Sequence, residues 1–489
     1  MSKFKFFLGL WAGKLSIPLL KITKHNGTDY PGVLATKFCP DFLKYVQKPK
    51  KIVVITGTNG KTTVNNMLID ILEANGMKVF ANRAGSNIAS GISTVFIKGS
   101  SIFGKLKKCD IAVLEVDERS AFKIYPYIKP DVMAITSLSR DSILRNAHPQ
   151  YIADILTKAM PEETTLVLNA DDLISNRIAI DNKRVYYGID KLPTDDKPYD
   201  GLLNDMQICP KCNGKLKYEF NRYNHIGKAS CSDCDFSSPE AKIAVTGIDY
   251  DSKSFTVRED GKIYTYPLIA DSFFNVYNLI TLITVLRQLG FEHETIVESM
   301  NKTHIPDSRH AIDKVNDITL VTQMAKGKNA TAASRIYDYI TGIEGPKEIL
   351  NMTYCAEDAD HWSENICWIY DTDFELLNNK DVRKIILAGP RNADFKLRLL
   401  MAGIPEEKIV TEDDQMKAVS LLSFKKNDTI CLLYAVDSVD MATKVRGEIL
   451  RQASQAKTDT DASGEKLKSD NAMEISNAVM NTHEEKEAK

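Results

Sequence analysis

The stretch that most constrains this chain is KIVVITGTNGKTTVNNMLIDIL, beginning at Lys51. Its apolar run, Ile52 to Ile55, reads as a buried strand that stops at Thr56-Gly57. Leu68, Ile69 and Leu72 then recur at helical spacing. Between them, TGTNGKTT fits the phosphate-loop pattern with one residue fewer between the glycines than is common. Strand, glycine-rich turn and helix aim backbone N–H groups and the positive end of a helix dipole at a phosphate. Gly57, Thr58, Asn59, Gly60, Lys61, Thr62 and Thr63 are therefore the expected phosphate-binding residues. Lys61 would reach the β/γ-phosphates and the Thr62 hydroxyl would hold Mg²⁺. The expected ligand is ATP or a close relative.

A chain of 489 residues has room for two or three domains. A net charge of −2 supplies no global field for nucleic acid. No apolar run reaches the ~18 residues needed to span a bilayer. The start, MSKFKFFLGLWAGKLSIPLL, mimics a signal peptide, but Lys14 interrupts its apolar part and no small-residue cleavage site follows. Nine cysteines, with four in two CxxC pairs, suit metal in a reducing cytoplasm better than disulfides. The lead segment carries Phe6, Phe7, Leu10, Trp11, Leu15, Leu19 and Leu20 among Lys3, Lys5, Lys14, Lys21 and Lys24. It reads either as a helix lying on anionic membrane or as one docked on its own domain.

After the first helix, Lys78 to Phe80 begins a short strand that ends in ANRAGSNIASGIST, a loop suited to a nearby ligand. Cys109 to Glu118 is a buried strand running into three carboxylates, Glu115, Asp117 and Glu118. Carboxylates there sit where a second Mg²⁺ contact belongs in a doubly wound sheet, though a solvated strand end has the same look. Val132 to Ile135 leads into TSLSRDSILR, whose Arg140, Asp141 and Arg145 suit phosphate or carboxylate recognition, or a capping Asp with two surface arginines. Alternating strands and helices imply a parallel sheet covered on both faces.

Cys209, Cys212, Cys231 and Cys234 have zinc-ribbon spacing, and four thiolates fill a tetrahedral Zn²⁺, leaving a structural role. Lys211, Lys215, Lys217, Arg222 and Lys228 surround them, with Tyr218, Phe220 and Tyr223 too few for a nucleic-acid reader. His225 is expected at the surface. Residues 241 to 265 read as hairpins, and FFNVYNLITLITVLRQLG as an apolar helix with Asn275 and Asn278 on one face. Strands near Ile318 to Val321, Ile349 to Thr353, Ile385 to Leu387 and Ile430 to Leu433 imply a second α/β domain.

TGTNGKTT, Glu115 and LVLNADD resemble the Mur ligase superfamily. The cysteine insertion, TSLSRDSILR and LAGPRNADFKLRLLMAGIP narrow the resemblance to the MurT family. The architecture it implies is α/β: a lead segment (1–48), a Mur ligase-like P-loop ATPase domain (49–305) with a four-cysteine zinc ribbon inserted at 204–240, a smaller C-terminal α/β domain (306–453), and a polar tail (454–489). The activity implied is ATP-dependent amidation, through an acyl phosphate, of the D-glutamate α-carboxyl in the lipid II stem peptide. A GatD-type class I glutamine amidotransferase would supply ammonia as the other half of a heterodimer. Implied cofactors are ATP, Mg²⁺ and structural Zn²⁺, and implied location is the cytoplasm at the inner face of the membrane.

By the same resemblance Lys61 and Glu115 are catalytic, with Thr62 and Glu115 on magnesium. Asn275 and Asn278 lie against adenine, and Arg309 contacts nucleotide at the hinge. Arg391, Asp394 and Arg398 carry over at family level. The family's partner-triad aspartate falls in DADHWSENICWIYDTDFELL, where its motif is altered. Asp360 is the first candidate there, with Asp358, Glu364 and Asn365 as alternatives. The family's Lys-Asn-Pro-x-Gly is also changed, to AKGKNATAAS, which keeps Lys328 and Asn329. These departures leave open a divergent paralogue that joins another amine or works without a glutaminase.

Overall fold

The computed structural model describes residues 2–23, 27–83, 86–140, 148–269, 273–303, 310–325, 329–353, 366–435 and 438–456. Two compact units divide the chain near Ile305.

The first unit opens with helices Ser2–Ile22 (α1), Tyr30–Phe38 (α2) and Phe42–Tyr45 (α3). Strands and helices then alternate: Ile52–Thr56 (β1), Lys61–Ala74 (α4), Val79–Ala81 (β2), Ala89–Gly99 (α5), Ile111–Glu115 (β3), Ala121–Ile124 (α6) and Val132–Ile135 (β4). Pro149–Ala159 (α7), Thr165–Asn169 (β5) and Arg184–Ile189 (β6) continue the pattern. The hairpin Leu216–Tyr223 (β7) and Ile226–Cys231 (β8) follows, then Ile243–Asp249 (β9), Ser254–Glu259 (β10) and Lys262–Pro267 (β11). Helices Phe273–Gln288 (α8) and His293–Met300 (α9) close the unit.

Among the described residues the main sheet has nine strands, ordered β11-β10-β9-β6-β5-β4-β1-β3-β2. Strands from β6 to β2 run parallel, and β9 to β11 form an antiparallel edge. Central strands are apolar throughout because both faces are covered. In β1, Ile52 and Val54 face the core that holds α1 to α3, α5 and α7, while Val53 and Ile55 face the one that holds α4 and α8. The lead helices thus belong to the core, with Phe6, Leu10, Ala35 and Phe42 at most 5 % exposed. Gly32 explains the Pro-Gly step ahead of the phosphate loop: a Cβ there would lie 1.8 Å from the Ser90 carbonyl oxygen.

Strand order reverses around β1, which lies between β3 and β4. Ligands of open α/β sheets bind at the carboxyl ends of strands where the order reverses. The ends of β1, β3 and β4 carry Gly57, Glu115 and Thr136.

The second unit contains His310–Val315 (β12), Ile318–Ala325 (β13), Ala330–Gly342 (α10), Lys347–Met352 (β14), Val382–Ala388 (β15), Asn392–Met401 (α11), Ile409–Glu412 (β16), Thr429–Ala435 (β17) and Val439–Gln455 (α12). Its sheet runs β12-β13-β17-β14-β15-β16, parallel except for β12. Here α10 and α11 cover one face and α12 the other. Ser454 and Gln455, assigned to the tail from sequence, continue α12. No helix among the described residues is long and apolar enough to cross a membrane.

Candidate functional site

Gly57 (φ +124°) and Gly60 (φ +84°) turn the chain sharply between β1 and α4. These φ values suit glycine, and the space does too. A Cβ on Gly57 would meet Thr136 Oγ1 at 2.4 Å, and one on Gly60 would meet Asn278 Oδ1 at 2.1 Å. The loop is fixed from the β4 side: Thr58 N donates to Ser137 O (2.7 Å), Ser139 N to Thr58 Oγ1 (3.1 Å), and Thr136 Oγ1 to Asn59 O. Thr62 and Thr63, half-buried, open α4. Among the described residues no side chain caps this helix and no acid lies in its first turn, which suits an anion at its positive end.

Lys61, 8 % exposed, folds back to donate to Gly57 O and to Glu118 Oε1 at 3.0 Å. Burial opposes its charge, but Glu118, with Glu115 and Asp117 beyond, outweighs this and raises its pKa above the ordinary lysine value. Sequence reading singled out Glu115 from the acidic run as a magnesium ligand; the carboxylate that pairs with Lys61 is Glu118. After β3 a 3-10 turn, Glu118–Ser120, brings that carboxylate back, with Asp117 capping it through Arg119 N. Glu115 is held separately: Asn87 Nδ2 donates to its carboxylate (2.9 Å), and Asn82 bonds both its backbone N–H and C=O. ANRAGSN therefore does reach a carboxylate of the site.

Asn278 Nδ2 donates to Asn275 Oδ1 at 3.0 Å, and both residues are buried near the start of α8. The structure thus brings Asn278 against the phosphate loop, as a turn-wall contact with Gly60. Glycine-walled backbone, an uncapped helix start, a buried lysine and clustered carboxylates fit a nucleoside triphosphate with a divalent cation. Arg309 and Asp360 lie outside the described residues, as do Asp141, Arg145, Lys328, Asp358, Glu364 and Asn365. Arg140 is described and binds Asp205 at 2.7 Å.

The four thiol sulfurs of Cys209, Cys212, Cys231 and Cys234 lie within 4.8 Å of one another. Cys209 and Cys234 are 3.6 Å apart, and Cys212 and Cys231 3.4 Å. Zn–S bonds of about 2.3 Å put tetrahedral sulfurs about 3.8 Å apart, so the cluster fits a closed zinc site. Backbone N–H groups of Lys211, Gly214 and Asp233 point at these sulfurs, at 3.3 to 3.4 Å.

One expectation for this insertion is overturned. His225 is fully buried, its Nε2 3.0 Å from Asp172 Oδ1, because the start of β8 bridges to the Asp171-Asp172 turn that follows β5. Arg222 is no part of a basic face: its side chain is 3 % exposed. It donates to Asp195, Asp171, the Tyr277 hydroxyl and the carbonyls of Ile189 and Asp190, and lies over the Phe220 ring at 4.1 Å. Burial opposes the Arg222 charge, and Tyr277, Asp171 and Asp195 outweigh it, raising its pKa. Lys211 and Lys228 pair with Asp235 and Glu240. Asp172 serves both sides, its other oxygen accepting from Leu138 N (2.8 Å) in the segment that braces the phosphate loop. Sequence hinted at this only through the paired acids of LVLNADD.

In the second unit, Arg398 is buried and bonds Ile369 O, Thr372 O and Glu375, so it organises the 366–377 segment. Arg391 pairs with Asp394 on α11 (2.6 Å), and Asn329 caps α10 through Ala332 N.

Residues 55–200 match the Mur ligase middle domain and residues 327–436 the MurT ligase C-terminal domain. The chain is 30% identical to the MurT subunit of lipid II isoglutaminyl synthase (glutamine-hydrolyzing) from Staphylococcus aureus (strain COL), over 86% of this chain and 93% of that protein. It is 31% identical to the Streptococcus pneumoniae subunit, over 85% of this chain and 91% of that one. Among solved structures it resembles a pseudomurein peptide ligase type C from Methanothermus fervidus, with a TM-score of 0.61 and 25% identity, over 84% of this chain and 81% of that one. Mur ligases are ATP-dependent ligases with a parallel α/β fold, and this chain belongs to their MurT family.

Proposed function

We propose that the chain is the ATP-consuming subunit of a lipid II isoglutaminyl synthase. It would convert the α-carboxyl of D-glutamate in the stem peptide to the amide of D-isoglutamine, working in the cytoplasm at the membrane's inner face. The observation that carries the reading is the buried Lys61 set among Glu115, Asp117 and Glu118 beneath a glycine-walled helix start, in a chain with a MurT ligase C-terminal domain.

In this reading a substrate carboxylate oxygen attacks the γ-phosphorus, a P–O bond forms and ADP leaves. Ammonia nitrogen then attacks the acyl carbon, phosphate leaves, and the nitrogen loses a proton. Lys61 exchanges Glu118 for the transferred phosphoryl group and offsets its charge. Residues 57–63 cradle the phosphates, Asn275 and Asn278 support the base, and Arg309 contacts nucleotide. Thr62 and Glu115 would hold Mg²⁺, which neutralises phosphate charge when bound. Residues 49–305 act as the ATP-binding domain and 306–453 as the face for a GatD-type glutaminase, with Asp360 completing that partner's triad. A closed zinc on the four cysteines fixes the insertion and touches no substrate.

The test supplies purified chain with ATP, lipid II and ammonium. Amidated lipid II, ADP and phosphate should appear in equal amounts, and glutamine should replace ammonium only with the partner present. Failure to consume ATP under either condition would overturn the reading. Incorporation of another amine in place of ammonia would favour the paralogue reading that the altered 358–365 motif suggests.

A further inference from the structure

Helix α1 is apolar on two sides. Phe6 and Leu10 pack into the core, with Gly9 and Gly13 letting α1 lie close against α2 and α5. On the other side Phe4, Trp11, Leu15, Leu19 and Ile22 stay exposed, at 67, 46, 68, 63 and 78 %. Their spacings of seven, four, four and three place them on one helical stripe. The loop after α5 extends this stripe: Trp11 Nε1 donates to Ile102 O at 2.9 Å, and Ile102 and Phe103 are 57 and 73 % exposed. Scattered apolar side chains are ordinary on a surface, but a continuous aromatic and aliphatic stripe is not.

The two segments that carry the stripe hold charge of one sign. Residues 1–28 and 86–109 contain no Asp or Glu, yet they carry Lys3, Lys5, Lys14, Lys21, Lys24, Lys98, Lys105, Lys107 and Lys108. Burial and then Lys107 push the Lys14 pKa down; burial and then Lys21 do the same to Lys98. Lysines crowd one another here while the whole chain is close to neutral, at −2.

We propose that the outer stripe of α1 and the 101–108 loop together form a surface that lies on an anionic phospholipid bilayer. The apolar side chains enter the headgroup boundary, Trp11 sits at the interface, and the flanking lysines meet lipid phosphates. A second copy of this chain is the poorer occupant, since a self-complementary contact would set lysines against lysines. The proposal stands on exposure and charge, independently of which substrate the enzyme uses.

Full-length chain is sedimented with vesicles of phosphatidylcholine, with and without phosphatidylglycerol, none containing lipid II. Binding should require phosphatidylglycerol and weaken as salt screens it. The double variant Ile102→Ser, Phe103→Ser should bind about tenfold more weakly with an unchanged melting temperature, because both side chains are already exposed. Lys105→Glu with Lys108→Glu should weaken binding at least as much. No binding to either vesicle would overturn the proposal, as would equal binding to both. Concentration-dependent dimers abolished by the Ile102/Phe103 variant, or loss of vesicle binding when the glutaminase partner covers the patch, would also overturn it. ATP turnover on lipid II in detergent should be unaffected by the variants, so failure here is separable from failure of the enzymatic reading.

Discussion

Lys61 and Arg222 are both buried cations of the first unit, and they are held in opposite ways. Arg222 donates from all three guanidinium nitrogens to fixed acceptors, with an aromatic ring against its face. Lys61 has a backbone carbonyl and one carboxylate, and two further carboxylates lie close enough to raise its pKa. A guanidinium fork saturated by its surroundings has nothing to gain by moving, whereas an ammonium beside an open helix start can change partner. Burial alone therefore does not separate the two cations; the completeness of their pairing does.

The largest effect expected is on Lys61. Lys61→Ala should lower ATP turnover about a thousandfold, with ammonium as well as with glutamine. It also strands Glu118 in the interior, so the melting temperature should fall. Adding Glu118→Gln should recover stability without recovering turnover. Recovery of both would make Lys61 another structural cation and erase the contrast. Cys212→Ser should abolish stoichiometric zinc, measured on the purified protein, because structural Zn²⁺ sites are worth about 10 kcal/mol or more of folding energy. A folded, zinc-free protein of unchanged stability would refute a structural zinc.

Arg222→Met should cost about 3–5 kcal/mol in unfolding free energy, since it leaves Asp171 and Asp195 buried without their cation. Turnover per folded molecule should change far less than for Lys61→Ala. A turnover loss as large as the Lys61 one would break the comparison from the other side. The smallest effect is pH-dependent. Burial raises the Asp172 pKa, but His225 and the N–H groups of Ser175 and Leu138 outweigh that and hold it below its ordinary value of 3.8. A depressed carboxylate stabilises the fold above its unfolded pKa and loses that contribution as pH falls through its folded one. Asp172→Asn should therefore cost about 1–3 kcal/mol near neutral pH, with the difference from wild type shrinking in acid below about pH 4.

Sequence made the central strands legible because β1 and β4 are short apolar runs with clear stops. The phosphate loop was legible because glycine and lysine stand at spacings that few other structures require. β16 (Ile409–Glu412) escaped notice because four residues are too few to display a period. β12, HAIDKV, hid behind its charges as an edge strand. That Glu118 is the carboxylate paired with Lys61 needed the 3-10 turn, which a run of neighbouring acids does not announce. Arg222 and His225 looked like surface residues because their acidic partners lie dozens of positions away in the chain.

The cysteine insertion looks detachable when written as text, since its ends are loops and its hairpin is continuous. Asp172 contradicts that impression by serving the hairpin with one oxygen and the brace of the phosphate loop with the other. Excising residues 204–240 would take Arg222 from Asp171 and Tyr277, and His225 from Asp172, at one stroke, so a trimmed chain would need a rebuilt floor beneath its phosphate loop.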